Sequence, residues 1–226
     1  MSEAKIWDDY YADEDARLNW YPQLNVVRFF CGLKNKGEFL TEHDIKLTYR
    51  PDMRVLDFGC GNGRHTKFLI DEGYLNVCAC DLSPIAVRQC RKLAPEALVV
   101  QIEPPLSNFE PRNLKGIPFM KGVFDIVMSE GVFDHMNSKD RKFYYKEVRR
   151  VLKPDGIFFL SLIKGNGREE VIESGLEKGL TQKYFTQRGI LKELKDFEII
   201  SIELTARHLT YPRREVIIDR YSIFAK

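Results

Sequence analysis

The sequence predicts an α/β fold organised around one strand, one glycine loop and one helix. Three observations predict it. Residues 54–64 read RVLDFGCGNGR, an apolar strand that breaks into a loop with glycine at Gly59, Gly61 and Gly63. The segment that follows, HTKFLIDEG, places Phe68 and Leu69 on a helical face and closes on Gly73. A second apolar run, Asn76–Asp81, ends in a carboxylate, as the first carries Asp57 at its end. A strand that opens through glycines into a helix is how α/β folds hold nucleotide-like ligands. Glycine turns the backbone sharply and puts no Cβ in the ligand's way.

The loop's spacing narrows the ligand. A dinucleotide fingerprint would read G-x-G-x-x-G, whereas Gly59, Gly61 and Gly63 give G-x-G-x-G. A P-loop would need G-K-[ST], which is absent, and Arg64 is the one cation beside the loop. Asp81, at the tip of the second strand, is placed to accept hydrogen bonds from ribose hydroxyls. A ligand with ribose hydroxyls and an ammonium group but no phosphate suits two carboxylates and open backbone. S-adenosylmethionine fits that description.

The run Asp57-x-Gly59-x-Gly61-x-Gly63, followed by Asp81, resembles the first motifs of class I S-adenosylmethionine-dependent methyltransferases. Phe124-Asp125-Ile126-Val127 is similar to that family's fourth strand. Leu152-Lys153-Pro154-Asp155-Gly156 is similar to its turn into the fifth strand, and REVIIDRYSIFAK to its last strand. The resemblance spans residues 40–226 and is nearest the small-molecule enzymes of the tellurite-resistance and quinone-biosynthesis type. It implies a Rossmann-like, doubly wound, mostly parallel seven-stranded sheet in the order 3-2-1-4-5-7-6, strand 7 antiparallel, with an N-terminal helical lid.

The elements follow in order. Residues 1–36 carry Trp7, Tyr10, Tyr11, Trp20, Tyr21, Phe29 and Phe30. Leu24, Val27 and Phe30 fall at helical intervals, so a helix is expected over 23–33 with Pro22 near its first turn. This segment is expected to be the lid over the cofactor, and 37–226 the methyltransferase domain. Strand 1 covers 54–59, helix A 63–72 and strand 2 76–81. Ser83-Pro84 opens helix B, which runs to Leu93, and strand 3 covers 97–101. Residues 102–122, with four prolines, form a loop. Strand 4 covers 123–129, a helix 138–152 and strand 5 157–162. A glycine-broken loop at 164–167 leads to a polar helix ending near Lys178, then a helix over 187–195. Strand 6 covers 197–204, a hairpin loop 207–214 and strand 7 215–225.

Composition sets bounds. The chain has 226 residues and a net charge of +2, which argues against coating nucleic acid or membrane. No apolar run is long enough to span a bilayer, and the acidic N-terminus lacks the order of a signal peptide. Five scattered cysteines suggest reduced thiols and a cytoplasmic protein. Cys78 and Cys80 have no second ligand pair at metal-site spacing, so no metal is expected. Oligomeric state is left open.

In open α/β sheets, ligands sit beyond the carboxyl ends of the strands. The resemblance implies cofactor contacts from Asp57, Gly59, Cys60, Gly61, Gly63, Asp81 and Ser129, with Leu82, Asn113 and Leu114 around the adenine. Glu130, Asp134 and His135 are the candidate bases, and Glu130 and His135 are taken as catalytic; an oxygen acceptor needs such a group to lose its proton. Tyr11 and Tyr21, with Arg168, Arg207 and Arg213, are the candidate acceptor-binding residues. If several of these arginines face inward, the acceptor is anionic, because guanidinium forks clamp carboxylates and phosphates. The expected activity is methyl transfer to a small molecule. An RNA or protein methyltransferase and a non-catalytic nucleoside-binding module are the alternatives.

Overall fold

The computed structural model describes residues 2–13, 21–35, 45–103, 116–211 and 214–226. Two helices lead, α1 (Glu3–Ala12) and α2 (Leu24–Asn35). Then come β1 (Arg54–Phe58), α3 (Arg64–Asp71), β2 (Asn76–Asp81), α4 (Pro84–Leu93) and β3 (Leu98–Gln101). β4 (Phe124–Glu130), α5 (Ser138–Val151) and β5 (Leu152–Ile163) follow. A small hairpin, β6 (Glu169–Val171) with β7 (Thr181–Lys183), precedes α6 (Gln187–Glu193), and β8 (Ile199–Tyr211) and β9 (Arg214–Ala225) close the chain. The main sheet has the order β3-β2-β1-β4-β5-β9-β8. β9 runs antiparallel to both neighbours, and the other pairings are parallel. With the small hairpin set aside, β8 and β9 are the expected strands 6 and 7, so the order is the one expected.

Short polar residues start the helices where the sequence places them. Ser83 accepts from the Ala86 amide at 3.1 Å, with Pro84 at the first helical position of α4. Asn137 accepts from the amides of Lys139 and Asp140 at the head of α5. Each such cap replaces a hydrogen bond that a helix end otherwise lacks.

Alternation along the strands covers both faces of the sheet. Leu56, Phe58, Phe158, Leu160 and Leu162 pack with α5 and α6. Val55, Ile157 and Phe159 pack with α2 and α3 on the other side. On α2, Val26, Phe29, Phe30 and Leu33 are fully buried, and Phe29 stacks on Phe159 with ring centroids 5.4 Å apart. Burial of this kind contributes about 1.5–3 kcal/mol per side chain. Of the two N-terminal helices, α2 therefore belongs to the sandwich, and α1 is the one that lies over the strand ends.

Three expectations are corrected. The polar helix expected to end near Lys178 is a hairpin. Gly175 has φ +82°, a left-handed conformation that interrupts a right-handed helix. The buried Arg141 guanidinium also fixes the hairpin by pairing with Glu169 at 3.1 Å while holding Glu193 of α6 at 3.0 Å. The fifth strand begins earlier than expected: Leu152 pairs with Phe124 and Ile157 with Ile126, and residues 153–156 bulge between them as the turn. The loop expected at 207–214 is mostly strand, because the β8–β9 ladder continues from Arg207↔Ile218 to Tyr211↔Arg214. Val216, Ile217 and Ile218 are β-branched and favour that outcome. Asn113 and Leu114 lie outside the described residues. Among the described residues, no helix is long and apolar enough to cross a membrane.

Candidate active site

The carboxyl ends of the parallel strands, together with α1, enclose a cavity of about 870 Å³. Its floor is the glycine loop after β1. The amides of Gly59 and Cys60 donate to the Cys80 carbonyl at 2.8 and 3.0 Å, tying the loop to β2. The Gly61 amide donates to Asp81 Oδ2 and the Ser83 amide to Asp81 Oδ1, both at 2.9 Å. A carboxylate has about four lone-pair sites, so Asp81 keeps capacity for a vicinal diol. Burial lifts its carboxyl to about 6 against the pull of those amides. Cys60 and Leu82 also line the cavity.

Asp57 is buried beneath this loop and off the cavity wall. It accepts from Thr66 Oγ1 at 2.7 Å, which anchors α3 to β1. Burial raises its carboxyl to about 7. Gly63 sits at the head of α3. Ser129 is fully buried at the end of β4, and its hydroxyl has no hydrogen-bond partner among the described residues.

The roof is α1. Asp8 Oδ1 accepts from Ser83 Oγ at 2.5 Å and from the Ile85 amide at 3.3 Å, at the head of α4. Gln89 donates to the Tyr11 carbonyl at 2.7 Å. So held, α1 presents Trp7, Tyr10 and Tyr11 to the cavity. Gly61 has φ +54°, and a Cβ there would meet Tyr11 Oη at 2.5 Å, so only glycine lets this ring approach the loop. Tyr21 forms part of the wall while remaining 83% exposed.

The candidate bases differ in their surroundings. Glu130 faces Arg64 at 3.4 Å and Arg220 at 3.3 Å. Burial alone would raise its carboxyl, but Arg220, with Arg64, outweighs burial and holds it below the usual range. It is therefore an anion at neutral pH and a weak proton acceptor. Asp134 is fully buried, accepts from the Ile163 amide at 2.8 Å and pairs with Arg220 at 2.6 Å. It organises the turn after β4. His135 lines the cavity edge-on to Trp7, with ring centroids 5.2 Å apart. Its Nδ1 is enclosed with no partner among the described residues.

The expected arginine clamp is corrected in part. Arg168 is off the wall, 63% exposed at its side chain, and pairs with Glu170 at 2.6 Å. The Arg207 side chain and Arg213 lie outside the described residues. Among the described residues, the wall carries five carboxylates (Glu3, Asp81, Glu130, Asp140, Glu177) and two guanidinium groups (Arg64, Arg220).

Several wall residues escaped the sequence reading. Arg220 comes from the last strand, which has no motif for it. His65 accepts from the Gln23 amide at 3.2 Å and from Arg64 Nε at 3.3 Å, and burial lowers it to about 4, so it stays neutral. Glu177 and Gln182 reach the wall only because a hairpin replaces the expected helix.

These groups fit a non-phosphorylated nucleoside cation. Asp81 offers diol acceptors, the glycine loop offers open backbone, and the carboxylates outnumber the cations. Both wall arginines are engaged by Glu130 or Asp134, so neither stands free to cradle a phosphate.

Residues 56–160 match a protein family described as a methyltransferase domain. Similar solved structures include an S-adenosylmethionine-dependent methyltransferase from Anabaena variabilis, 18% identical, with 100% of this chain and 95% of that chain covered and a TM-score of 0.65. Another from Methanosarcina mazei is 21% identical, with 82% and 96% covered and a TM-score of 0.61. A third is the 1,6-didemethyltoxoflavin-N1-methyltransferase of Burkholderia thailandensis with bound 1,6-didemethyltoxoflavin and S-adenosylhomocysteine. It is 17% identical, with 99% and 85% covered and a TM-score of 0.59. At these identities the likeness is one of fold. No curated protein sequence matches the chain.

Proposed function

We propose, from the premise that this chain is a class I S-adenosylmethionine-dependent methyltransferase, that its acceptor is a small molecule enclosed with the cofactor beneath α1. S-adenosylmethionine supplies a methyl group on a sulfonium, open to in-line displacement by a nucleophile. The chain's residues bind, orient and exclude water around that exchange. Asp81 takes the ribose hydroxyls, and Leu82 packs on the adenine with Asn113 and Leu114 beside it. Glu130, kept ionised by Arg64 and Arg220, receives the methionine ammonium. His135 takes an acceptor proton. Positioning of this kind supplies much of the rate of a displacement, and a ring-lined, water-poor cavity favours loss of the sulfonium charge.

The observation that carries the small-molecule reading is the roofed cavity. At about 870 Å³ it lies near the top of the range of about 300–1,000 Å³ typical of small-molecule sites, so it has room for a nucleoside and a compact acceptor together. The rings of α1 form its lid, which leaves little access for a folded macromolecule. An anionic acceptor would rest on Arg207 and Arg213, since Arg168 faces away and Arg220 is paired. All five cysteines are free thiols, which supports a reducing, cytoplasmic setting.

Calorimetric titration with S-adenosylmethionine and S-adenosylhomocysteine, with NAD as control, tests the reading. Micromolar binding of both methionine compounds and none of NAD is expected, with Asp81→Ala abolishing it in a folded protein. Binding of NAD, or of none of the three, would overturn it.

A further inference from the structure

The accessory hairpin brings two polar side chains, Glu177 and Gln182, to the cavity wall. Gln182, on β7, is only 7% exposed and lines the cavity. Its Nε2 donates to the Lys183 carbonyl at 3.1 Å, which leaves the amide oxygen to serve as an acceptor. β7 packs against the turn at Phe133–His135, and the enclosed Nδ1 of the His135 imidazole lacks a partner among the described residues. Glu177 reaches the same wall from the turn between β6 and β7, close enough to Tyr10 to act on its hydroxyl. That turn packs on α1: a Cβ at Gly179 would lie 3.3 Å from Ile6 Cδ1. Thr205, on β8, adds a hydroxyl oxygen with no partner among the described residues. The rings of Trp7 and Tyr10 stand beside these groups, Trp7 edge-on to His135 and Tyr10 close to Glu177.

Such a wall calls for hydrogen-bond donors and positive charge in whatever occupies it. A carboxylate or phosphate would face Glu177, Gln182 Oε1 and the rings, with both described wall guanidinium groups already paired with Glu130 or Asp134. An ammonium group would satisfy the same atoms and gain from the rings, whose faces attract cations. We propose that the methyl acceptor is an amine, bound as its ammonium by Glu177 and Gln182 against Trp7 and Tyr10, and that these two hairpin residues set its specificity. This rests on the small-molecule reading above and names its acceptor class.

The chemistry balances. The ammonium gives one proton to the His135 imidazole, which passes it to water. The freed lone pair forms the N–C bond as the S–C bond breaks, and that electron pair returns to sulfur as a neutral thioether. The product leaves as a methylated ammonium.

The test uses the full chain saturated with S-adenosylhomocysteine and two matched pairs of probes: phenethylamine with 3-phenylpropanoate, and tryptamine with indole-3-propanoate. Dissociation constants are read by ligand-observed NMR. At least one amine is expected to bind about tenfold or more tighter than its carboxylate, the ~1.4 kcal/mol or more that one charge-assisted hydrogen bond supplies. Glu177→Gln and Gln182→Leu should each shrink that ratio severalfold while leaving the S-adenosylhomocysteine constant unchanged. Glu177 is half-buried on a mostly exposed turn, so its variant keeps the test open if Gln182→Leu fails to fold. Carboxylates binding as tightly as amines, no amine binding at all, or ratios that survive in the folded variants would overturn the proposal. Failure of the wild type to bind S-adenosylhomocysteine would instead strike the methyltransferase reading.

Discussion

Arg220 Nη2 donates to Asp134 Oδ2 at 2.6 Å, joining the last strand to the turn after β4 at the cavity wall. Arg220 also donates to Ser161 Oγ at 2.9 Å and faces Glu130 at 3.3 Å, so one guanidinium holds two carboxylates that are almost wholly buried. Removing one partner of a buried pair strands the other charge, at a cost of about 3–5 kcal/mol. Arg220→Met should lower unfolding stability by that order in urea titration and weaken S-adenosylhomocysteine binding as Glu130 moves. A stability loss under about 1 kcal/mol would mean that solvent already screens the network.

Gly61→Ala tests the contact between the glycine loop and the roof. The new methyl group would lie 2.5 Å from Tyr11 Oη, at a φ of +54°. The left-handed backbone alone costs an alanine about 1–2 kcal/mol. The variant should displace α1, red-shift Trp7 emission in a Trp20→Phe background, and weaken cofactor binding by about tenfold or more, a ~1.4 kcal/mol loss. Adding Tyr11→Ala should recover part of the binding. Unchanged emission would show that the ring moves aside without the helix.

How much of this was legible in the sequence depends on how local the signal is. The Asp57–Gly63 loop, Asp81 and the Ser83-Pro84 cap each rest on short motifs, and the structure has them in place; the strand order was implied by the family resemblance those motifs carry, and the sheet has it. The accessory hairpin was not legible, because polar residues 168–178 suit a solvated helix as well as a hairpin. What decides it is Arg141, whose partners Glu169 and Glu193 are far apart in sequence. Arg220 was hidden for the same reason: its role is set by Asp134 and Glu130 across the sheet. Of the rim arginines, Arg168 misled because charge near a loop says nothing of which way a side chain turns, and it turns to Glu170.

Two buried groups give the stability opposed pH dependences. Asp57 has its carboxyl raised from 3.8 to about 7 by burial. The folded chain therefore binds a proton that the unfolded chain does not, and this contribution to stability grows as pH falls from 7 to 4, by up to ~1.4 kcal/mol per pH unit. His65 is lowered from 6.5 to about 4, again by burial first. Here the unfolded chain takes the proton first, so stability is lost as pH falls from 6.5 to 4. Asp57→Asn should thus lose stability on acidification more steeply than the wild type, and His65→Gln less steeply. Urea midpoints between pH 4 and 7.5 read the difference, and parallel curves for all three proteins would refute both assignments.

Asp8→Ala separates the roof from the rest of the fold. Asp8 supplies the side-chain contacts of α1 to the head of α4, and Ile6 is the one residue of α1 that is buried. The sandwich core does not depend on either, so the urea midpoint should change little, within about 0.5 kcal/mol. Local opening of α1 should rise instead, because a helix with few buried contacts sits at the low end of local stability. Hydrogen exchange of the α1 amides is expected to quicken about tenfold, which corresponds to ~1.4 kcal/mol of docking energy. If α1 is the lid of the site, S-adenosylhomocysteine should bind more weakly to this variant and, once bound, should slow that exchange again. Faster exchange with unchanged affinity would mean that the cofactor does not feel the helix, and that the rings of α1 cover the cavity without taking part in it.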